Sequence, residues 1–519
     1  MRRPSISVPA LTTGVLGLIL TAVPVTLSTA ATADAAPVTA SRASESAPAT
    51  STASTARTRA RQALAAVAAI VDPASTDAAA RRVTGPVASG DATFAFRDLA
   101  RSIDALPKAE RARAASYLAR PKATRTKCQT VCLHWSTSGS NKSSSSFVKT
   151  ALKTMDHVAS TYVDAGYRKP LADGRAGGNG KLDVYLRNIG GQGYYGYCTS
   201  DSAPRGGKHV TPAYCVLDND FSRREFPTNS PTKNLQVTGA HEYFHAVQFA
   251  YDYDEDRWMM EATATWAEDE LYTGINDNLQ YLRSSQLATP SKSLDVFDPK
   301  GTWQYGDWIF FRYLSEAFPE KQGPLPSIVL DIWKRAGTNA GEGDEYSIEA
   351  VANTLTDRGS SLPAAFAEYS WWNQYSHEYY SEGEANDYPI APLWSAGSGT
   401  LSSSTTTSGA QTASFNHLSS RTSQIRIDSS ASGRQVEVQI AATTDPDTTV
   451  VTIYYFDGTT QVVPLDPDGT ADVTVTPGEG FLVHYANGGS SYTCNKGTQY
   501  SCAGKSTSDG DLTVQYSLL

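Results

Sequence analysis

The sequence predicts an α+β architecture: a mixed-sheet subdomain joined to a mostly helical subdomain, then a small all-β sandwich. Three observations point there. Strand-like runs at residues 181–189 (KLDVYLRNI) and 210–217 precede a long stretch of helical spacing, from Leu235 to about Tyr379, rich in Trp and Tyr. Beyond a Ser/Thr/Gly stretch the apolar period switches to two and stays there to the C terminus. The 519 residues suffice for about three folded units.

Taken in order, Arg2 and Arg3 precede an apolar run over residues 11–25, broken by Thr21 and Pro24, with small residues at Ala33 and Ala35. This layout makes residues 1–35 a secretory signal peptide. The run is short for a bilayer, and no other span of 18 apolar residues occurs, so a secreted protein without a membrane anchor is expected. Residues 36–127 read as a prosegment. Its Ala/Ser/Thr-rich start, 37–61, should be disordered, and helical patches follow at 63–71 and 108–118.

Charge divides the chain. Residues 37–127 hold 15 Lys+Arg against 7 Asp+Glu, a net of +8, whereas the chain from Cys128 onward carries −18 of the total −9. A basic head could be drawn over an acidic body and cover a site until proteolysis; the alternative is a plain spacer. The acidic body has no Lys/Arg block, which argues against nucleic-acid binding.

Residues 128–394 form the expected main domain. A helix with serines to cap its start is expected over 143–167. The Gly-rich stretch 173–180 reads as a turn, although Asp173, Asn179 and Asp183 could also ligate a structural Ca2+. Gly190, Gly191, Gly193 and Gly196 belong to a loop that could lie over a cleft. Residues 395–413 read as a linker, and 414–519 as the β-sandwich accessory domain, with Asp457-Gly458 at a hairpin turn. That domain could carry a glycan or surface ligand. A monomer is expected. The six cysteines fall in neighbouring pairs, Cys128/Cys132, Cys198/Cys215 and Cys494/Cys502, which suits local disulfides in an exported chain.

The decisive segment is His241-Glu242-Tyr243-Phe244-His245. On a helix, residues four apart are offset by about 40° and rise about 6 Å, so both imidazoles can meet one ion. Glu242 follows the first histidine, where it can act as a base toward an activated water. Chance predicts about 0.006 such matches in a chain of this composition. A zinc ion needs a third protein ligand and an open position. Glu261, in the helical run Trp258-Met-Met-Glu261-Ala-Thr-Ala-Thr265-Trp266-Ala-Glu268, is the candidate, and Glu268, seven residues on and on the same face, is the fallback. No GxSxG or GxxxxGK pattern offers competing chemistry.

HEYFH followed by WMMEATATW resembles the gluzincin class of zinc metallopeptidases. More narrowly, with KLDVYLRNI, YGDWIFFRYL and FAEYSWWNQY, the stretch 128–387 is similar to a family of secreted bacterial putative metalloproteases. The resemblance implies a zincin-like metallopeptidase domain that hydrolyses peptide bonds, as an endopeptidase, around one Zn2+ held by His241, His245 and Glu261. Glu242 would be the general base. Tyr305, resembling the helix-opening tyrosine of aminopeptidase-like gluzincins, would stabilise the oxyanion; a core or surface role is the other reading. Thr265 stands where thermolysin-like members place an Asp that supports a histidine. The spacing from His245 to Glu261, 15 residues, is shorter than in those relatives. A protein or peptide substrate could pair with a strand edge such as residues 213–217. The competing expectation is an exported surface-binding or carbohydrate-binding protein with an inactive metallopeptidase-like domain.

Overall fold

Alternation in three short strands decides how the first sheet is buried. The computed structural model describes residues 49–72, 92–338 and 344–519; the expected signal peptide lies outside them. Strands β1 (Arg125–Cys128), β2 (Cys132–Trp135), β3 (Asp183–Arg187), β4 (Gly196–Thr199) and β5 (Tyr214–Asp218) form one mixed sheet in the order β1-β2-β3-β5-β4. The β2/β3 and β3/β5 pairs are parallel; β1/β2 and β5/β4 are antiparallel. Val184, Leu186, Cys198, Cys215 and Leu217 face one way, Tyr185, Tyr197, Tyr214 and Val216 the other, as the period of two requires. Both faces are buried, which is why these runs lack a polar alternate.

Helices cover each face. On one side lie α4 (Ser145–Asp164) and α5 (Pro231–Gln248). Ser144 and Ser230 cap them by accepting from Phe147 N–H at 3.1 Å and Lys233 N–H at 3.2 Å. Gly239 lets them close: a Cβ there would sit 3.0 Å from Met155 Sδ. Tyr162 then donates to the Ala240 carbonyl at 3.1 Å. On the other side lie α1 (Ala49–Val71), α2 (Thr93–Ser102) and α3 (Lys108–Leu118), whose Leu64, Val67, Phe96, Leu99 and Leu118 share an apolar cluster with the sheet tyrosines.

Two expectations for this head are corrected. The stretch 49–61, expected to be disordered, is helical, because its alanines favour helix and Ala60 is buried in that cluster. The helix α2 was not expected at all.

The helical subdomain begins with α5 and continues through α6 (Arg257–Tyr272), the short α7 (Trp303–Gly306), α8 (Trp308–Ala317), α9 (Ser327–Arg335), α10 (Ile348–Asp357) and α11 (Leu362–Trp372). Trp258 and Trp266 anchor α6 by donating from Nε1 to Ser347 at 2.8 Å and Ser315 at 2.9 Å.

The C-terminal region holds two sheets around one apolar cluster. Strands β6 (Gly399–Leu401), β7 (Gln411–Phe415), β8 (Ser419–Ile427), β9 (Val436–Ala442), β10 (Thr449–Tyr455), β11 (Thr460–Val463), β12 (Thr470–Val475), β13 (Gly480–Asn487) and β14 (Gly510–Leu518) run β11-β10-β13-β8-β6 and β12-β9-β14-β7. All pairs are antiparallel except β8/β6. Gly458, at φ +89°, makes the expected turn between β10 and β11. The stretch 395–413 is not a free linker. It supplies β6 and the start of β7, because Thr400 and Leu401 find ladder partners in Arg426 and Ile427. The two regions are packed together: Leu294 N–H donates to Leu418 O at 3.0 Å, Ser420 N–H to Pro290 O at 2.8 Å, and the Trp371 and Tyr454 rings stack. His417 is buried between Asp295 at 2.9 Å and Asp509 at 2.7 Å.

The six cysteines form Cys128–Cys132, Cys198–Cys215 and Cys494–Cys502, which suits an oxidising compartment. No described helix is long and apolar enough to cross a membrane.

Candidate metal centre

The last two turns of α5 carry both histidines inward, and α6 crosses beside them. His241 Nε2 lies 3.2 Å from Glu261 Oε2 and 3.1 Å from His245 Nε2; His245 Nε2 lies 3.6 Å from Glu261 Oε2. Zinc bonds of about 2.0–2.1 Å in a tetrahedron set ligand atoms about 3.3–3.4 Å apart, so this triangle has the edge lengths of one tetrahedral face. Among the described residues these three form a buried group able to hold a metal ion. Glu261 Oε1 is buried with no hydrogen-bond partner, so the carboxylate has capacity left for a cation.

The outer contacts fix the rings. His245 Nδ1 lies 2.7 Å from Gln248 Oε1, and Gln248 Nε2 donates to the Met260 carbonyl at 2.9 Å. A backbone carbonyl only accepts, so the amide must present its oxygen to His245. Nδ1 therefore carries the proton, and in the neutral ring Nε2 keeps its lone pair for the centre. His241 Nδ1 lies 2.7 Å from Glu268 Oε1, which fixes the second ring the same way. Glu268 thus stands behind His241 and Glu261 stands beside its Nε2, the arrangement of a carboxylate–histidine–metal relay. Glu268, the fallback ligand, faces the outer nitrogen of His241 and lies outside the His241–His245–Glu261 triangle. Thr265 supports neither histidine: its buried Oγ1 has no hydrogen-bond partner.

Electrostatics follow burial. Desolvation pushes the Glu268 carboxyl up to about 7 against the opposing pull of His241. Desolvation would raise Glu261 too, but hydrogen bonds to both imidazoles hold it below the usual carboxylate range, and a metal ion would have to displace the Nε2 protons that make them. Burial disfavours a charged His241, yet Glu261 and Glu268 outweigh it and raise its pKa.

Glu242 lies against the sheet. A Cβ on Gly196 would come 2.8 Å from Glu242 Cγ and Oε1, so only glycine lets β4 run this close. Both sulfurs of the Cys198–Cys215 bridge rest against the Glu242 carbonyl, at 2.7 and 3.5 Å. A disulfide has no S–H, so these are packing contacts that seat β4 and β5 under α5. The glycine-rich stretch expected to be only a loop therefore ends in the strand beside the site. The expected strand edge is corrected too: β5 is interior, flanked by β3 and β4, and the sheet edge at the centre is β4.

Tyr305 is brought to the centre as a ring. Its ring runs near-parallel to that of His241, with centroids 6.1 Å apart and planes 21° apart, and packs on Tyr281 at 5.3 Å. Asp173, Asn179 and Asp183 do not form a cation cage. The Arg120 guanidinium pairs with Asp173 at 2.8 Å and with Asp183, while Asn179 Oδ1 accepts from its neighbour Lys181 N–H at 2.9 Å.

Gln248 and Thr93 were not among the expected site residues, and Gly196 was expected only in a loop. Gln248 had a signal, being three residues past His245 and on its face of the helix. No protein-family model matches the chain, and no curated protein matches it significantly.

Proposed function

We propose that the protein is an exported zinc-dependent metalloprotease of the HExxH…E kind, with His241, His245 and Glu261 as metal ligands and Glu242 as general base. The observation that carries this reading is the three-donor triangle with both imidazoles oriented by Gln248 and Glu268. Two imidazoles and one carboxylate are a common donor set for catalytic zinc. A bound zinc ion would supply Lewis acidity, polarising a carbonyl and easing deprotonation of water.

The remaining steps belong to the chain. Glu242 takes a proton from the attacking water and passes it to the leaving nitrogen. Glu268 and Gln248 keep the imidazoles in the form that leaves Nε2 free to bind. An extended peptide could pair with the free edge of β4, whose Gly196 backbone lies directly on Glu242. The three disulfides support export to an oxidising compartment.

Glu242→Gln is the test. It should retain one zinc per chain and lose hydrolysis of an unfolded protein by about 10²–10⁴-fold, assayed before and after limited proteolysis. Zinc retained with wild-type hydrolysis would overturn the assignment of the base.

A further inference from the structure

The centre is closed. His241 is 5% exposed, Glu242 1%, and His245 and Glu261 0%, so a substrate has no path to them in this form. The covering element on the β4 side is α2. Its first residue, Thr93, donates from Oγ1 to Glu242 Oε2 at 3.4 Å and accepts the Cys198 N–H at 3.0 Å. Cys198 is in β4, so that amide belongs to the free edge of the sheet. One hydroxyl thus engages both the base and the strand edge on which a peptide would pair.

The next residue, Phe94, is buried among side chains of the body. The Phe94 ring meets His245 edge-on at 6.2 Å and Phe297 at 5.5 Å, and the Arg257 guanidinium lies over it at 5.7 Å. One turn on, buried Arg97 donates to the carbonyls of Tyr253 at 3.1 Å and Glu255 at 2.8 Å. Phe96 stacks on Tyr197 of β4, with centroids 4.0 Å apart. These contacts join α2 to both sides of the cleft, the edge strand and the α5–α6 connection.

The attachment is reversible in kind. Arg120, after α3, holds the head to the body through Asp173, Asp183 and Asp201, and Arg101 reaches Asp254 at 3.3 Å. Between α3 and β1, Lys122 is exposed and lies outside any strand or helix. Cutting there leaves the head held only by noncovalent contacts.

We infer that α2 is a built-in occupant of the substrate cleft, that it keeps the chain latent, and that the pocket holding Phe94 selects an aromatic side chain in the substrate. The inference rests on the metalloprotease reading. It goes beyond it by naming the inhibitor, the side-chain pocket and the activating event. Cleavage at Lys122, between α3 and β1, followed by release of the head exposes β4, Glu242 and the surroundings of Phe94 together.

The test uses the full-length chain with a specific protease site inserted between the exposed Lys122 and Ala123, cut in high salt and freed of the released head. The readouts are hydrogen exchange over Gly196–Thr199 and fluorescence anisotropy of a fluorescein-labelled peptide, Ala92–Ser102. The uncut chain should protect that strand and bind no peptide. The cut chain should lose the protection and bind the peptide, with Phe94→Ala in the peptide weakening binding at least ~10-fold, as loss of a buried aromatic side chain requires. Equal binding of both peptides, or equal binding by cut and uncut chains, overturns the inference.

Should the cut chain lose its fold, the uncut Thr93→Ala/Phe94→Ala chain decides. Lost protection of Gly196–Thr199 supports the inference, and unchanged protection sinks it. Zinc content separates the two readings. Peptide binding without zinc refutes the metalloprotease and keeps the occupied cleft. Zinc-dependent hydrolysis that ignores α2 does the reverse.

Discussion

Gln248→Leu probes the centre without touching a ligand. In the wild type, the Gln248 side chain accepts from His245 Nδ1 at 2.7 Å and donates to Met260 O at 2.9 Å and to Thr263 Oγ1 at 3.2 Å. Leucine keeps most of the volume and removes all three contacts. The buried imidazole proton on Nδ1 then loses the Gln248 acceptor, which favours moving that proton to Nε2 and turning the ring. That step removes the lone pair a metal needs. Outer contacts of this kind are worth about 10–100-fold in metal affinity. The unsatisfied buried groups should cost about 1–3 kcal/mol of stability in addition. A competition titration against a chromophoric zinc chelator reads the first effect, and urea denaturation of the metal-free chain reads the second. Zinc affinity within twofold of wild type would refute the claim that Gln248 sets the His245 tautomer.

Two further outcomes follow from packing and charge. Gly196→Ala should keep zinc and lose protein hydrolysis, because its Cβ would collide with Glu242 at 2.8 Å; the strain should cost about 1–3 kcal/mol, and unchanged turnover of the activated chain would contradict the contact. His417 is buried, and although desolvation opposes its charge, Asp295 and Asp509 raise its pKa from 6.5 to about 9. Its folded pKa exceeds the unfolded one, so its contribution, about 3 kcal/mol, is complete below pH 6.5 and is lost as pH rises through 9. The stability difference between wild type and His417→Asn should shrink over that window in denaturant titrations; a constant difference would refute the linkage.

Local signals explain what the sequence made legible. His241, Glu242 and His245 stand out because a helix turns a four-residue spacing into shared orientation, and Glu261 and Glu268 stand out because seven residues return to one face. Choosing between those two acids required the crossing of α5 and α6, which sets Glu261 against Nε2 of His241 and Glu268 against Nδ1. That crossing depends on tertiary packing and leaves no local trace. The strand β4 was hidden for another reason. It is four residues long and opens with glycine, so its turn-like composition outweighed its pairing with β5. The stretch 395–413 looked like a linker because Ser and Thr are as common in linkers as on exposed strands. Thr93 lies 149 residues from Glu242, a contact that no periodicity reports.

If His241, His245 and Glu261, on two neighbouring helices, hold a zinc ion, the purified protein carries it. Elemental analysis of the purified full-length chain, beside a His241→Ala/His245→Ala chain shown by circular dichroism to be folded, tests it most directly. One zinc per wild-type chain and none in the double variant is the expected result. A folded wild-type chain without zinc after exposure to it, or a double variant that retains the full amount, would contradict it.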